Sequence, residues 1–180
     1  SIHGANRLGG NSLLEIVTFG KVAGLNASNE AKDVIQNQSI SNQLNEDIKE
    51  LDEIYKIENK INFYAEKERI GDLLFNNLGL FRTQSQMQIA LNELKNIKEN
   101  LMHMGLDDKS KIYNKNLIDL LEFRNMIEVS ILVCLSAINR TESRGSHFRL
   151  DYPNQNINFL KNSFIQKDSS DIIANFEDIQ

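Results

Sequence analysis

Apolar residues recur at steps of three and four along most of the chain, which places them on one face of an α-helix. This pattern predicts five helices: residues 12–36, from Ser41 or Asn42 to about Ile61, residues 63–78, from Thr83 or Ser85 to 104, and residues 116–139. Asn11 or Ser12 is predicted to cap the first helix. Gly79 and Gly105 are predicted to end the third and fourth helices.

Long amphipathic helices joined by short loops predict an all-α fold, with an antiparallel three-helix bundle over about residues 42–139. The last helix is apolar on every side from Ile127 to Ile138, so we expect it to be buried on every side and to be the most buried helix. No segment shows sustained strand alternation, although Phe148–Leu150 and residues 172–173 could pair briefly. Residues 166–180 are polar and are predicted to be poorly ordered in isolation.

Composition narrows the classes of function. The 180 residues are 41% hydrophobic, enough for one core with an appendage. Basic and acidic residues are interspersed, with a net charge of −5, which argues against nucleic-acid binding. The one cysteine, Cys134, is interpreted as an inert core residue, and no metal site is predicted. The longest unbroken apolar run, Ile131–Leu135, is too short to span a membrane.

The first two dozen residues carry the candidate chemistry. Gly9 and Gly10 have no Cβ, so the backbone there can approach a ligand closely. The N–H groups at the start of the following helix favour an anion or a polarised carbonyl. Arg7 offers a planar set of donors that suits a carboxylate. On spacing alone, the favoured interpretation of these residues is an ordinary helix start with a surface arginine.

Two longer motifs resemble a known family. Residues 3–15 (HGANRLGGNSLLE) and residues 140–153 (RTESRGSHFRLDYP) closely resemble signatures of the succinate dehydrogenase and fumarate reductase flavoprotein subunits. The resemblance spans essentially the whole chain but only the last third of such a subunit. It implies an edge of the FAD-binding domain, loop plus helix, over 1–36, a helical bundle domain over 37–152, and a C-terminal tail over 153–180.

The resemblance also implies site residues. Arg7 is expected to bind a carboxylate of the dicarboxylate substrate, succinate or fumarate, while Ser12 and Leu13 contact the isoalloxazine edge of FAD. His3 is interpreted as structural, with a residue that lines the cofactor as the alternative. The family's proton-donating residues and its ADP-binding fingerprint lie upstream of this chain. We therefore expect no catalytic residue within it, no FAD bound to it alone and no activity in isolation.

The implied partners are an iron–sulfur subunit and a membrane anchor subunit, which pass electrons to quinone. The implied location is peripheral, on the bacterial inner membrane, with the cytoplasmic face as the family default and the periplasmic face as the alternative. Two other interpretations stay open: a fragment of L-aspartate oxidase, which shares the architecture, and a non-catalytic helical interaction module. The second leaves both motifs unexplained.

The second motif is dense in ionisable groups, namely Arg140, Glu142, Arg144, His147, Arg149 and Asp151. One interpretation is a contact region for the flavin domain or the iron–sulfur subunit. The other is an internally paired turn after a helix, with Gly145 allowing the chain to reverse. The two are compatible, because the pairing that shapes such a loop can also present it.

Overall fold

The structure is a computed structural model that describes residues 3, 6–32, 40–168 and 171–178. The elements within these residues are α1 (Asn11–Glu30), α2 (Ile40–Lys56), α3 (Phe63–Leu78), β1 (Phe81–Arg82), α4 (Gln84–Asn100), α5 (Lys115–Asn139), β2 (Phe148–Arg149), β3 (Lys161–Asp168) and β4 (Asp171–Asp178), with 3-10 turns at Leu101–His103 and Ile157–Phe159. They form two compact units, residues 1–50 and 51–180. The predicted helical fold class is confirmed.

A bundle is formed by α3, α4 and α5, which pack on one another, so it begins at Phe63 and not at the predicted residue 42. The apolar spacing of the fourth predicted helix places Met87 and Met104 on its core-facing side, and both are fully buried, which confirms them as core residues. The end of α2 adds Ile54 to the same core. The buried apolar set is Ile54, Phe63, Ile70, Met87, Ala90, Leu91, Leu94, Ile97, Met104, Leu106, Leu120, Phe123, Ile127, Ile131, Cys134 and Ala137.

Each bundle helix begins at a side chain that accepts a hydrogen bond from the first turn. The side-chain oxygens of Asn62, Thr83 and Asn114 accept from backbone N–H groups two or three residues further on, at 3.0, 3.3 and 2.8 Å. Such a cap stabilises a helix by about 1 kcal/mol. Of the two caps predicted for α4, Thr83 is therefore the correct one.

Three helices end earlier than predicted. α4 ends at Asn100, where the 3-10 turn Leu101–His103 replaces its last predicted turn. α1 ends at Glu30, and residues 33–39 lie outside the described residues. α2 stops at Lys56, because the backbone N–H groups of Lys60 and Ile61 donate to the carbonyl of His103 at 3.0 and 3.2 Å. The loop after α2 passes so close to Gly105 that a Cβ there would collide with the loop backbone. Tertiary packing thus ends a helix that the apolar spacing would continue.

The helix α5 buries seven residues, more than the described residues show for any other helix. The prediction that it is buried on every side is wrong, because Val129 and Val133 are 57% and 47% exposed. An all-apolar sequence does not distinguish the side that faces α3 and α4 from the side that faces away.

Two small sheets complete the structure. Phe148 and Arg149 of β2 pair in parallel with β1, which confirms the short pairing predicted there. β3 and β4 form an antiparallel hairpin, so the prediction of a poorly ordered tail is wrong for the described part of residues 166–180. Half-buried Ile172, Ala174 and Phe176 alternate with exposed residues in β4. This alternation is too short and contains too many polar residues to predict a strand from the sequence.

Candidate functional site

The glycine loop enters α1 through a residue in the left-handed region. Gly10 is the N-cap, with φ +83°. The turn around it contains a hydrogen bond from the Asn11 N–H to the Leu8 carbonyl (3.2 Å). The predicted caps, Asn11 and Ser12, are instead the first two helical residues. The physical reason is that glycine adopts this conformation without strain, so the helix begins directly after it.

No side chain caps α1 within the described residues. Apart from the Asn11 N–H, which donates to Leu8, the first-turn N–H groups have no intrahelical partner, and they carry the positive end of the helix dipole. A Cβ built on Gly9 or Gly10 would meet no atom of the described residues within 4 Å, so they leave this approach open. Backbone donors in an open setting suit an anion or the electron-rich edge of a flat polar ring.

The structure places the three predicted site residues in this loop and first turn. Arg7 lies on the loop and is exposed, Ser12 is half-buried, and Leu13 is 73% exposed. Their chemical groups are a guanidinium, a hydroxyl and backbone N–H groups, which suit the predicted carboxylate and flavin contacts. These assignments stay predictions of the sequence and its resemblance.

Sequence reasoning missed one contact in this region. His3 Nε2 and Glu15 Oε2 form a short hydrogen bond, which joins the residue that begins the motif to the second turn of α1. Both side chains help to line a recess of about 210 Å³, together with Asn11, Leu14, Thr18 and Phe19. The spacing of twelve residues gives no periodic signal by which the pair could have been found.

The second motif folds back on itself after α5. Gly145 has φ +60°, and Arg144 and His147 exchange backbone hydrogen bonds across the turn (2.8 and 3.0 Å). Arg149 is fully buried, and its Nη1 donates to the carbonyls of Ala137 (3.2 Å), Ile138 (3.2 Å) and Arg140 (3.4 Å). The guanidinium thereby supplies partners for the carbonyls that the end of α5 leaves free.

Asp151 neutralises this buried guanidinium. Its two carboxylate oxygens accept from Arg149 Nε (2.8 Å) and Nη2 (2.7 Å), and one also accepts from the backbone N–H of Gln84 (2.8 Å). These hydrogen bonds, led by that from Arg149, lower the pKa of Asp151 to about 2. The pair therefore ties the end of α5 to the start of α4.

Glu142 is a fully buried carboxylate held by two arginines. Arg140 Nη1 donates to it at 2.6 Å, Arg144 Nε at 2.8 Å, and the backbone N–H of Asn156 at 2.8 Å. Burial alone would raise the pKa of Glu142, but the hydrogen bonds from Arg144, Asn156 and Arg140 outweigh it and lower the pKa to about 2. A buried charge of this kind requires such full pairing.

Arg140 carries the network into the C-terminal hairpin. Its guanidinium donates to the carbonyls of Phe159 (2.8 Å) and Lys161 (2.7 Å) and lies 5.1 Å from the centre of the Phe176 ring. The interpretation of the motif as an internally paired turn is thus confirmed for its described contacts. The pairing also fastens β3 and β4 to the end of α5.

His147 is held in its neutral form. Its Nε2–H donates to the carbonyl of Arg140 (3.0 Å), while its Nδ1 accepts from Arg82 Nη1 (2.9 Å). Burial lowers the pKa of His147, and the cations Arg82, Arg149 and Arg140 lower it further. The described residues contain no group of three His, Cys, Asp or Glu side chains that could hold a metal ion.

Cys134 lies in the core of the bundle. Cys134 is buried, its Sγ–H donates to the Met87 carbonyl (3.2 Å), and burial raises the pKa of its thiol to about 11, as expected of an inert core residue. Among the described helices, none is long and apolar enough to cross a membrane.

Comparison with known proteins identifies relatives of this chain. A family model described as "Fumarate reductase flavoprotein C-term" matches residues 67–180, more than half of the chain. The chain is 32% identical over 165 residues to the fumarate reductase flavoprotein subunit of Haemophilus influenzae, covering 90% of this chain and 28% of that protein. It is 35% identical over 170 residues to the succinate dehydrogenase flavoprotein subunit of Coxiella burnetii, covering 93% and 29%.

A solved structure of a variant of Escherichia coli quinol fumarate reductase superposes with a TM-score of 0.91 at 30% identity. It covers 98% of this chain and 31% of its own. The chain therefore spans less than a third of the length of the relatives it matches.

Proposed function

The chain belongs to the fumarate reductase and succinate dehydrogenase flavoprotein C-terminal family, and from this we propose that it is the C-terminal part of an FAD-dependent subunit that interconverts succinate and fumarate. The observation that carries the proposal is the uncapped start of α1 behind a glycine loop that bears Arg7. This loop offers both a carboxylate-binding cation and free backbone donors at one place in the chain.

In this proposal Arg7 binds one carboxylate of the substrate. Its guanidinium donates two parallel hydrogen bonds in one plane, which fixes the orientation of the carboxylate as well as its position. Holding the reacting carbons in place beside the acceptor contributes directly to the rate. The proton donor and the other substrate contacts belong to the part of the subunit that precedes this chain.

The first turn of α1 fits one edge of FAD. When bound, FAD accepts the hydride that succinate gives up. The N–H groups near Ser12 and Leu13, backed by the positive end of the helix, suit the electron-rich pyrimidine edge of its ring. Neither glycine carries a side chain that would block this edge.

The chain carries no G-x-G-x-x-G fingerprint, so the ADP half of FAD would be held elsewhere in the subunit. We accordingly propose that this chain alone neither retains FAD nor turns over substrate. We also propose that residues 1–36 are an edge of the FAD-binding domain, residues 37–152 the helical domain and residues 153–180 a tail.

The exposed apolar side chains of α1, Leu14, Val17 and Phe19 among them, support this division, since an apolar helix gains its stability from packing. We propose further that electrons pass to an iron–sulfur subunit and, through a membrane anchor subunit, to quinone. The names of the relatives, which include quinol fumarate reductase, support this assembly. It would place the subunit peripherally on the bacterial inner membrane, on the cytoplasmic face.

The experiment that tests the proposal replaces Arg7 in the full-length subunit. Arg7→Ala should lower kcat/KM for succinate more than about a hundredfold, at least about 3 kcal/mol, because the carboxylate loses its paired donors. Flavin content should stay near normal, since Ser12 and Leu13 are unchanged.

Arg82→Ala is the control. Its guanidinium donates to the carbonyls of Leu78 and Gly79 and to His147, so we expect a loss of stability without loss of turnover. Turnover by Arg7→Ala within a few-fold of wild type would contradict the substrate role.

A further inference from the structure

One side-chain contact brackets the loop that carries Arg7. His3 Nε2 and Glu15 Oε2 are hydrogen-bonded across twelve residues, and both side chains are partly shielded, at 25% and 39% exposure. His3 precedes the loop and Glu15 lies in the second turn of α1. The pair therefore closes a ring of chain with Arg7, Gly9 and Gly10 inside it.

Little else fixes this loop to the helix. Within the described residues α1 has no side-chain cap and no buried residue. The other link found there is the backbone hydrogen bond from Asn11 to Leu8, which constrains only the last turn of the loop. A flexible loop with two glycines samples many conformations, and tying its ends together removes many of them.

We propose that Glu15, acting through His3, is a positioning residue for Arg7. The inference rests on the proposed function, because it takes Arg7 as the residue that binds the substrate carboxylate. The hydrogen bond holds the loop in the conformation that presents the guanidinium, while neither member of the pair touches substrate. Groups that bind substrate are held in place by such supporting hydrogen bonds.

This role makes a specific kinetic prediction. If the loop is free, only a fraction of molecules presents Arg7 correctly, and the apparent dissociation constant rises by the inverse of that fraction. Once substrate is bound, the loop is already in place, so kcat should change little. If the freed loop presents Arg7 correctly in about one molecule in ten, the apparent dissociation constant rises about tenfold.

The test uses the full-length flavinylated subunit, succinate with a dye acceptor, and malonate, a dicarboxylate without the CH2–CH2 unit that is oxidised. Glu15→Ala should raise KM for succinate and Kd for malonate by the same factor, about tenfold, with kcat within twofold and flavin content unchanged. Glu15→Gln keeps an acceptor oxygen for His3 Nε2–H and should stay within about threefold of wild type.

Further variants separate the outcomes. His3→Ala should match Glu15→Ala, and the double variant should be no worse than either, since both remove one contact. His3→Ala also carries the test if Glu15→Ala does not fold. Lys32→Ala, which removes an exposed hydrogen bond to Asn29 beyond the other end of α1, should leave KM, kcat and Kd unchanged.

Two results overturn the inference: malonate binding by Glu15→Ala within twofold of wild type, or a fall in kcat or flavin content as large as the rise in Kd for malonate. Arg7→Ala, measured in the same assays, distinguishes failure of the positioning role of Glu15 from failure of the substrate role of Arg7. If Arg7→Ala loses malonate binding while Glu15→Ala keeps it, only the positioning role fails. If Arg7→Ala keeps malonate binding, the proposed substrate site itself is wrong.

Discussion

The first helix and the last are similarly apolar, yet they are used differently. α1 has no buried residue in 20, whereas α5 buries seven of its 25. α5 lies against α3 and α4, and its ends are fastened by the Asn114 cap and the Arg149 guanidinium. α1 begins at an uncapped glycine. Apolar composition therefore does not show whether a helix is part of a core. Here the helix without buried residues, α1, is the one that carries the candidate site.

The difference in burial between the bundle and α1 can be tested by truncating one phenylalanine in each. Phe63 is 1% exposed and packs beside Phe123, so Phe63→Ala should lower the free energy of unfolding of this chain by about 3–5 kcal/mol. Phe19 is 53% exposed, and Phe19→Ala should change it by less than about 0.5 kcal/mol. Urea unfolding followed by circular dichroism measures both. A cost for Phe19→Ala as large as that for Phe63→Ala would show that α1 has a core of its own.

A buried and an exposed ion pair allow the same comparison between well-packed and exposed groups. Glu142 is fully buried between two arginines, so Glu142→Gln should cost about 2–3 kcal/mol, because it weakens charge-assisted hydrogen bonds and leaves cations less well paired. Glu128 pairs with Lys98 at 2.7 Å, but both side chains are more than 40% exposed. Glu128→Gln, the matched control, should cost less than about 1 kcal/mol. Equal losses would mean that burial does not strengthen the Glu142 network.

Acid should weaken the same network. The pKa of Glu142 and that of Asp151 are lowered to about 2, below the values near 4 of unfolded carboxyls. The stability they contribute is thus fully present above about pH 4.5 and is lost as the pH falls toward 2. The free energy of unfolding between pH 7 and 2.5 measures this loss. Glu142→Gln should show a shallower fall over that window, and an unchanged slope would contradict the assignment.

Features that depend on a single helix can be predicted from the sequence. The stripe of α4, its cap at Thr83 and its core methionines follow from spacing and residue type. The burial of Arg149 could not be predicted, because a guanidinium is stable there only when three helix-end carbonyls and Asp151 converge on it. Spacing carries no information about such convergence.

In the candidate site, too, some features could be predicted from the sequence and others could not. Arg7, Ser12 and Leu13 were found through the resemblance of their motif. The cap at Gly10 was missed, because the residue-type preference for Asn and Ser says nothing of a left-handed glycine. The His3–Glu15 contact was missed because it joins positions twelve apart through a loop with no periodicity.

Hydrogen exchange tests the central claim most directly, namely that α1 takes its order from the rest of the subunit while the bundle holds itself. In the 180-residue chain alone, the amides of Val17–Leu25 should exchange almost unprotected, whereas those of Phe123–Cys134 exchange only on global unfolding. In the full-length subunit, Val17–Leu25 should become protected and Phe123–Cys134 should change little. Equal protection of the two segments in the chain alone would contradict the account.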